Sequence, residues 1–310
     1  MLPVWVILAL LALTLAWPVP IALARAAWPA RAPGLALLLW QGIALAGGLS
    51  MIGAALSYGL TPFENSLSEA VRSLIGVLFT GPLPADMGFT QVAALAAALF
   101  LGGHLLLNLA TTAVRTERHR RRHHTLVALL SEPVPNRPGT RVLDHPAPVA
   151  YCLPGVRMVT VLSEGLLRLL NTGQLEAVLA HERTHLRQFH HLVLLAFKAW
   201  RSALPWFPIA NRAERAVALL VEMLADDEAR REVDGPTLAA AIALVGTSWG
   251  IDGTPGEGGD SAAPDATAVG ARISRLLTPR PPLVFQRRLL VAAATLTLVA
   301  VPATLMMQMI

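Results

Sequence analysis

Four long apolar segments constrain this chain more than any other feature of its sequence. A transmembrane helix needs about 20 predominantly apolar residues, and each segment reaches that length. Within a bilayer such segments form helices, because every backbone polar group must find a partner inside the segment. The sequence therefore predicts a mainly α-helical membrane protein. Its four predicted transmembrane helices lie at about residues 3–23, 35–58, 89–114 and 289–310.

The composition agrees with a chain that lies partly in lipid. Charged residues make up 15% of the 310 residues and apolar residues 54%, whereas soluble domains carry about 25% charged residues. The net charge of +5 could indicate a nucleic-acid partner, but the arginines stand beside the apolar segments, as they do in membrane proteins. We therefore expect the lipid bilayer as a partner and no direct binding of nucleic acid. The single cysteine, Cys152, excludes a disulfide framework.

The arginines beside the spans predict an orientation. Arg25 and Arg31 follow the first span, the basic run 118–124 follows the third, and Arg287 and Arg288 precede the fourth. Basic flanks favour the cytoplasmic side. All of these basic flanks lie on the cytoplasmic side if the N-terminus is outside a bacterial plasma membrane. The region between the third and fourth spans is then cytoplasmic. A cleaved signal peptide is the weaker alternative, because no basic residue precedes the first apolar run.

A fifth apolar stretch, 192–210, fits a span poorly. It contains Lys198, Arg201, Pro205 and Pro208. We predict an interfacial or core helix here, with a dip into the membrane as the alternative.

Two polar residues lie inside the third span. His104 and Asn108 are four residues apart and share a helix face. Polar groups at membrane depth usually face protein. We expect both to form interhelical hydrogen bonds.

The predicted soluble domain covers residues 115–288. Its basic start is expected to be a helix beside lipid headgroups. Two strand-like runs, 149–153 and 158–162, flank a Pro-Gly turn and predict a β-hairpin. Ser163 is the expected N-cap of a helix over 164–170. Residues 246–270 are rich in Gly, Pro, Asp and Ser, which indicates a mobile loop.

The candidate chemistry begins on the next predicted helix, for which Thr172 is a plausible N-cap. His181 and His185 are four residues apart, so both imidazoles project from one helix face and can bind one zinc ion. Glu182 lies beside them and could take a proton from a zinc-bound water. This His-Glu-x-x-His pattern predicts a zinc metallopeptidase.

A catalytic zinc usually has three protein ligands. Glu222 is the best third candidate, because it comes from a second predicted helix, over 212–233. Asp226, one turn later, could accept a hydrogen bond from a ligand histidine. His190 and His191 are the rival ligands, but they follow His185 closely in sequence.

Arginine side chains complete the set of candidates. Arg272 or Arg275, on a short predicted helix over 271–277, could contact the substrate oxyanion. The alternative is that each pairs with an acidic side chain.

Three stretches resemble the BlaR/MecR-type membrane metallopeptidases. They are VAYCLPG at 149–155, VTVLSEGLL at 159–167 and LEAVLAHERTH at 175–185. Glu222 with Asp226, and the run ARISRLL at 271–277, also fit that family.

This resemblance implies a gluzincin-like α+β zinc peptidase domain in the cytoplasm, with His181, His185 and Glu222 as ligands, Glu182 as general base and Asp226 behind the ligands. It also implies that the hairpin offers an edge strand to an extended substrate. Studied members carry an outer β-lactam sensor and cleave a winged-helix repressor of the BlaI/MecI type. Since the sequence ends at Ile310 with the fourth span, we expect a short form without that sensor. Its signal would come through the spans, through the predicted outer loop 59–88, or through a partner, which could be a separate sensor or a second copy of the chain.

Two other functions stay open. The first is a quality-control membrane protease of the HtpX type, which shares the same ligand pattern. The second is a non-proteolytic signalling scaffold with a structural metal site. The presence of Glu182 argues against the scaffold, because a structural site needs no general base.

Overall fold

The computed structural model describes residues 2–63, 72, 75–76, 87–135, 139–153, 159–205, 208–251 and 266–307. The first helices are α1 (Val4–Ala16), α2 (Pro18–Arg25), α3 (Pro33–Gly59) and α4 (Phe89–Leu130). Four strands follow: β1 (Ser131–Pro133), β2 (Thr140–Leu143), β3 (Ala150–Leu153) and β4 (Val159–Ser163). The later helices are α5 (Glu164–Leu169), α6 (Thr172–Arg187), α7 (His190–Ala203), α8 (Pro208–Ala229), α9 (Gly235–Ile251), α10 (Ala266–Leu277) and α11 (Phe285–Met307).

The described residues contain four helical stretches that are long and apolar enough to cross a membrane. They are Val4–Arg25, Pro33–Gly59, Phe89–Leu130 and Phe285–Met307. The predicted set of four apolar helices and a small sheet is therefore confirmed, whereas the side of the membrane on which the domain lies stays a prediction.

The first and third predicted spans differ in detail from the observed helices. The first is interrupted at Trp17, because Pro18 and Pro20 lack the backbone N–H that would continue α1. The third does not end at residue 114: α4 continues without a break through the basic run 118–124. That run is helical as expected, and its contact with lipid headgroups stays a prediction.

The chain divides into two compact units. The first comprises Met1–Ala110, Phe197–Val217 and Leu283–Ile310, and the second comprises Thr111–Ala196 and Ala218–Pro282. The predicted domain boundaries at residues 114 and 289 stay predictions.

In the first unit, α3 packs against α1 and α11 through small residues. A Cβ on Gly42 would lie 2.8 Å from the Thr295 side chain, and one on Gly53 would lie 2.9 Å from Met306. Such glycines allow spanning helices to approach closely. They explain why α3 carries so many small residues within an apolar stretch.

In the second unit, the sheet has the strand order β1-β2-β4-β3. The predicted hairpin is confirmed in its strands, since β3 and β4 are antiparallel and Ala150 pairs with Leu162. Its Pro-Gly turn lies outside the described residues. β2 runs parallel to β4, and β1 runs antiparallel to β2. Strand β3 therefore forms one edge of the sheet.

Several helix boundaries differ from the predicted ones. Ser163 caps α5 as predicted, accepting from the Leu166 N–H at 3.1 Å. The predicted cap Thr172 is wrong: Asn171 and Gln174 form a reciprocal capping box instead. The predicted helix over 212–233 is α8, which begins at Pro208, where a proline needs no hydrogen-bond partner.

The predicted loop over 246–270 is shorter than expected. Helix α9 continues to Ile251, and α10 begins at Ala266 rather than at residue 271. The remaining loop residues, and most of the predicted outer loop 59–88, lie outside the described residues.

Candidate metal centre

Helix α6 is held in place by its buried side. Leu179 packs with Leu162 of β4 and Leu166 of α5. Ala177 and Ala180 pack against α8, α9 and α10 through a cluster that includes Leu238. These apolar contacts and the capping box fix the rotation of α6 about its axis. His181 is buried as a consequence, with 7% of its surface exposed.

Three donor atoms converge beside α6. The Nε2 atoms of His181 and His185 are 3.1 Å apart. Glu222 approaches both rings: its Oε2 lies 3.3 Å from Nε2 of His181, and its Oε1 lies 3.4 Å from Nε2 of His185. Tetrahedral coordination with metal–ligand bonds of 2.0–2.1 Å places ligand atoms about 3.3 Å apart. The three side chains therefore fit a metal ion.

Glu182 follows His181 on α6 and contacts the edge strand. The backbone N–H of Cys152, in β3, lies close enough to favour the charged form of its carboxylate. The Ser163 N–H donates to the Val149 carbonyl, so Cys152 belongs to a pair whose backbone groups point away from β4. Burial raises the pKa of Glu182 to about 7, with the nearby Glu222 charge adding to the effect.

His181 is held from behind by two further side chains. Its Nδ1 lies 3.0 Å from Oδ1 of Asp226, which is only 1% exposed. Arg272 donates to the same carboxylate through Nε at 2.9 Å and Nη2 at 2.7 Å. Burial alone would raise the pKa of Asp226, but the bonds from Arg272 and His181 lower it.

Arg272 also contacts the third donor residue. Its Nη1 lies 2.8 Å from Oε2 of Glu222. One guanidinium therefore joins two carboxylates of α8, those of Glu222 and Asp226, and the predicted pairing of Arg272 with an acid is observed. Arg275 pairs with a different residue, Asp227, at 2.6 Å.

His185 is held by a contact that the sequence pattern did not predict. Nδ1 of His190 lies 3.0 Å from Nδ1 of His185, and Nε2 of His190 lies 2.9 Å from Oε1 of Gln188. One arrangement of protons suits this chain: His185 donates to His190, which donates to Gln188. That tautomer leaves Nε2 of His185 without a proton and available to a metal.

The turn between α6 and α7 makes this contact. Phe189 has φ 52°, a conformation that is uncommon for residues other than glycine. The turn directs the chain back, so that His190 lies on the far side of the His185 ring. Neither His190 nor His191 joins the donor group found among the described residues. His190 therefore supports a donor residue rather than replacing Glu222.

The single cysteine stays a thiol in this setting. Burial raises the pKa of Cys152 to about 11, and the Glu182 charge favours the same state. Its Sγ lies 3.2 Å from the Thr160 hydroxyl. A packing role fits this half-buried cysteine.

Comparison with known proteins adds a family to this geometry. The sequence model of Peptidase family M48 matches residues 114–224, a range that includes all three donor residues and Glu182. Neither the curated proteins nor the solved structures compared with the chain gave a match. This match supports a likeness to M48 metallopeptidases in general, and it does not single out the BlaR/MecR type. Residues 114–224 are thus similar to the M48 metallopeptidases.

Proposed function

We propose that the protein is a zinc metalloendopeptidase anchored in a bacterial plasma membrane. The observation that carries this proposal is the spacing of the three donor atoms, 3.1–3.4 Å, beside a desolvated Glu182. Two histidines and a glutamate are a ligand set of catalytic zinc sites, which leave one position for water. The M48 match supports the same reaction class.

The residues divide the chemistry between them. A zinc ion held by His181, His185 and Glu222 would act as a Lewis acid and lower the pKa of a bound water. Glu182 takes up a proton as a peptide carbonyl is attacked, and then delivers it to the leaving amine. With a pKa raised to about 7 by burial, this carboxyl can hold and release a proton near neutral pH.

Arg272 and Asp226 position the donors in this proposal. Asp226 orients the His181 ring, and Arg272 holds both Asp226 and Glu222. Each nitrogen of the guanidinium already contacts a carboxylate. These contacts favour positioning over the alternative that Arg272 binds the oxyanion.

Strand β3 supports a proposal about substrate binding. It is an edge strand, and the backbone groups of Cys152 point away from β4. The Cys152 N–H also favours the charged form of the Glu182 carboxylate. An extended peptide that pairs with this edge would bring its backbone next to the carboxylate. We therefore propose that the substrate binds as an added strand.

The substrate and the side of the membrane are further parts of the proposal. The basic flanks of the spans favour a cytoplasmic domain and an outer N-terminus. A cytoplasmic substrate follows, and resemblance to the BlaR/MecR type favours a BlaI/MecI-like repressor. A separate sensor partner or a homo-oligomer would then supply the signal.

A second candidate is an HtpX-like quality-control protease. It is favoured by the match to family M48, which does not single out the BlaR/MecR type. A non-proteolytic scaffold with a structural metal site is the remaining alternative. Analysis of new protein N-termini in cells separates the first two: one processed winged-helix repressor supports the first, and many damaged membrane proteins support the second.

The enzyme proposal is tested with Glu182→Gln in full-length protein reconstituted in lipid nanodiscs. We expect one zinc per chain in both wild type and variant, and a fall in casein cleavage of at least about 100-fold, because general acid–base catalysis is removed. Glu176→Gln is the matched control, since Glu176 is an exposed residue of the same helix. It should leave cleavage unchanged.

Two results would contradict the proposal. Full activity in Glu182→Gln would remove Glu182 from the chemistry. Zinc-loaded wild type that processes nothing, in nanodiscs or in cells, would favour the scaffold.

A further inference from the structure

The C-terminal half of α7 packs against helices that are candidate membrane spans. We propose that α7 enters the hydrocarbon layer and forms a re-entrant segment that does not cross it. This segment would be neither a fifth span nor a surface helix. The inference rests on the proposed membrane placement of the four spans, and it decides between the two interpretations of residues 192–210.

The first observation is the position of Trp200. A Cβ on Gly48 would lie 3.4 Å from the Trp200 ring, so the indole packs against the backbone of α3 at this glycine. Gly48 lies near the middle of Pro33–Gly59, a candidate span. An interfacial helix would contact α3 near one end. Trp200 instead contacts the central part of the span.

The second observation is a pair of hydrogen bonds to α4. Asn108 Nδ2 donates to the Ala199 carbonyl at 2.5 Å, and His104 Nε2 lies 3.1 Å from the Ala203 carbonyl. These bonds confirm the predicted interhelical role of the two polar residues. They also show that α7 runs antiparallel to α4, because Ala199 lies beside Asn108 and Ala203 lies beside His104.

The depth of these bonds follows from helix geometry. Arg115 is the first charge after the apolar part of α4, seven residues beyond Asn108 and eleven beyond His104. At a rise of 1.5 Å per residue, the two bonds lie about 10 Å and about 16 Å inside that charge. Half of the hydrocarbon layer is about 15 Å thick. Ala203 therefore reaches the level of the bilayer centre.

Polar groups in this part of the chain have partners, as lipid requires. The last carbonyls of a helix lack intrahelical partners. Nε2 of His104 provides a hydrogen-bond partner for the carbonyl of Ala203. The Arg201 guanidinium lies 2.6 Å from the Glu214 carboxylate, so an arginine and an acid of this segment are paired. Pairing of this kind is how charges are carried within membranes.

Length excludes a complete crossing. Helix α7 has 14 residues, which gives about 21 Å, less than the hydrocarbon thickness. Pro205 follows α7, and Pro208 begins α8. Helix α7 therefore enters the layer without crossing it.

The test uses single cysteines in a Cys152→Ser background of the full-length protein. Ser202→Cys probes the segment, because Ser202 is exposed at the protein surface and changes little in size. Leu106→Cys is the lipid-facing control, at a residue 70% exposed on α4. Arg231→Cys is the water-facing control, at a side chain 75% exposed. Native membrane vesicles, opened on both sides, are treated with a membrane-impermeant maleimide before and after SDS.

We expect Arg231→Cys to react at once and Ser202→Cys to react at least about tenfold more slowly until SDS is added, because lipid excludes the reagent. Leu106→Cys should behave as Ser202→Cys does. If Ser202→Cys reacts as fast as Arg231→Cys while Leu106→Cys is protected, the re-entrant segment is refuted and the membrane anchor stands. If Leu106→Cys also reacts fast, the membrane placement itself fails.

Discussion

At the scale of single residues, His190 tests how the metal centre is supported. It is 2% exposed, and its Nδ1 lies 3.0 Å from that of His185. We expect His190→Ala to weaken zinc binding by about 10- to 100-fold, because the His185 ring loses the acceptor that fixes its tautomer and orientation. Competition with a chromophoric chelator measures the affinity. His191→Ala is the control and should bind zinc normally; equal affinity in all three proteins would contradict the role of His190.

A second prediction concerns Glu182 in the metal-free protein. Burial raises its pKa from the ordinary glutamate value of 4.5 to about 7 in the folded state. A carboxyl with a raised folded pKa favours the folded state fully below its unfolded pKa, and this contribution is lost as the pH rises through the folded value. The apparent Tm of EDTA-treated wild type should therefore fall between about pH 5 and about pH 8.

Glu182→Gln isolates this effect, because the amide cannot ionise. In that variant the fall of Tm over the same pH range should be smaller than in wild type. Parallel curves for the two proteins would show that Glu182 ionises without cost and that its site is hydrated.

The residue scale also shows what the sequence could predict. His181, His185, Glu222 and Asp226 follow from helical spacing, which determines which side chains share a face. The support of His185 by His190 does not, because it depends on the left-handed turn at Phe189. The sequence likewise does not determine the partner of Arg272. Asp226 and Asp227 are neighbours on α8, and only the packing of α10 against α8 determines which arginine pairs with which acid.

At the scale of elements, α10 fixes α8 through paired arginines. Arg272 bonds to Asp226, which is 1% exposed, whereas Arg275 bonds to Asp227, whose side chain is 34% exposed. We expect Arg272→Met to lower the free energy of unfolding by about 3 kcal/mol or more, because it leaves the buried Asp226 carboxylate without its arginine. Arg275→Met should lower it by about 1 kcal/mol or less.

Denaturant unfolding of the metal-free protein in detergent micelles measures both variants. The double variant Arg272→Met with Asp226→Leu should recover part of the lost stability, since it removes the unpaired charge. If both single variants lost the same free energy of unfolding, the burial of Asp226 would not determine how much stability its arginine contributes.

Elements with a strong period were predicted well, and short ones were not. The hairpin strands and α6 follow from alternation and from helical repeats. Strands β1 and β2, with three and four residues, carry too few positions for a pattern to emerge. Strand β2 forms because β4 offers its backbone, and β1 forms because β2 does. The boundary at Asn171 was missed by one residue, because adjacent Asn and Thr are both good caps and only the reciprocal bond to Gln174 distinguishes them.

At the scale of the whole molecule, composition predicted the four spans but the orientation rests on charge alone. Arginines flank the cytoplasmic ends of all four spans in the proposed topology, and five of them fall within residues 115–122. The positive-inside rule then places the C-terminus, like the N-terminus, outside the cell. A cytoplasmic substrate for Glu182 depends on this arrangement.

Reporter fusions test this topology directly. Alkaline phosphatase fused after Ile310 should be active, and green fluorescent protein at the same point should be dark, because each reporter matures on one side only. Green fluorescent protein fused after residue 124 of a shortened chain should fluoresce, since the third span ends in the cytoplasm. Replacing the arginines of 115–122 with glutamine should raise the share of inverted chains, because these charges hold the third span in place. A fluorescent fusion after Ile310 would reverse the orientation, place the candidate metal centre outside, and exclude a cytoplasmic repressor as its substrate.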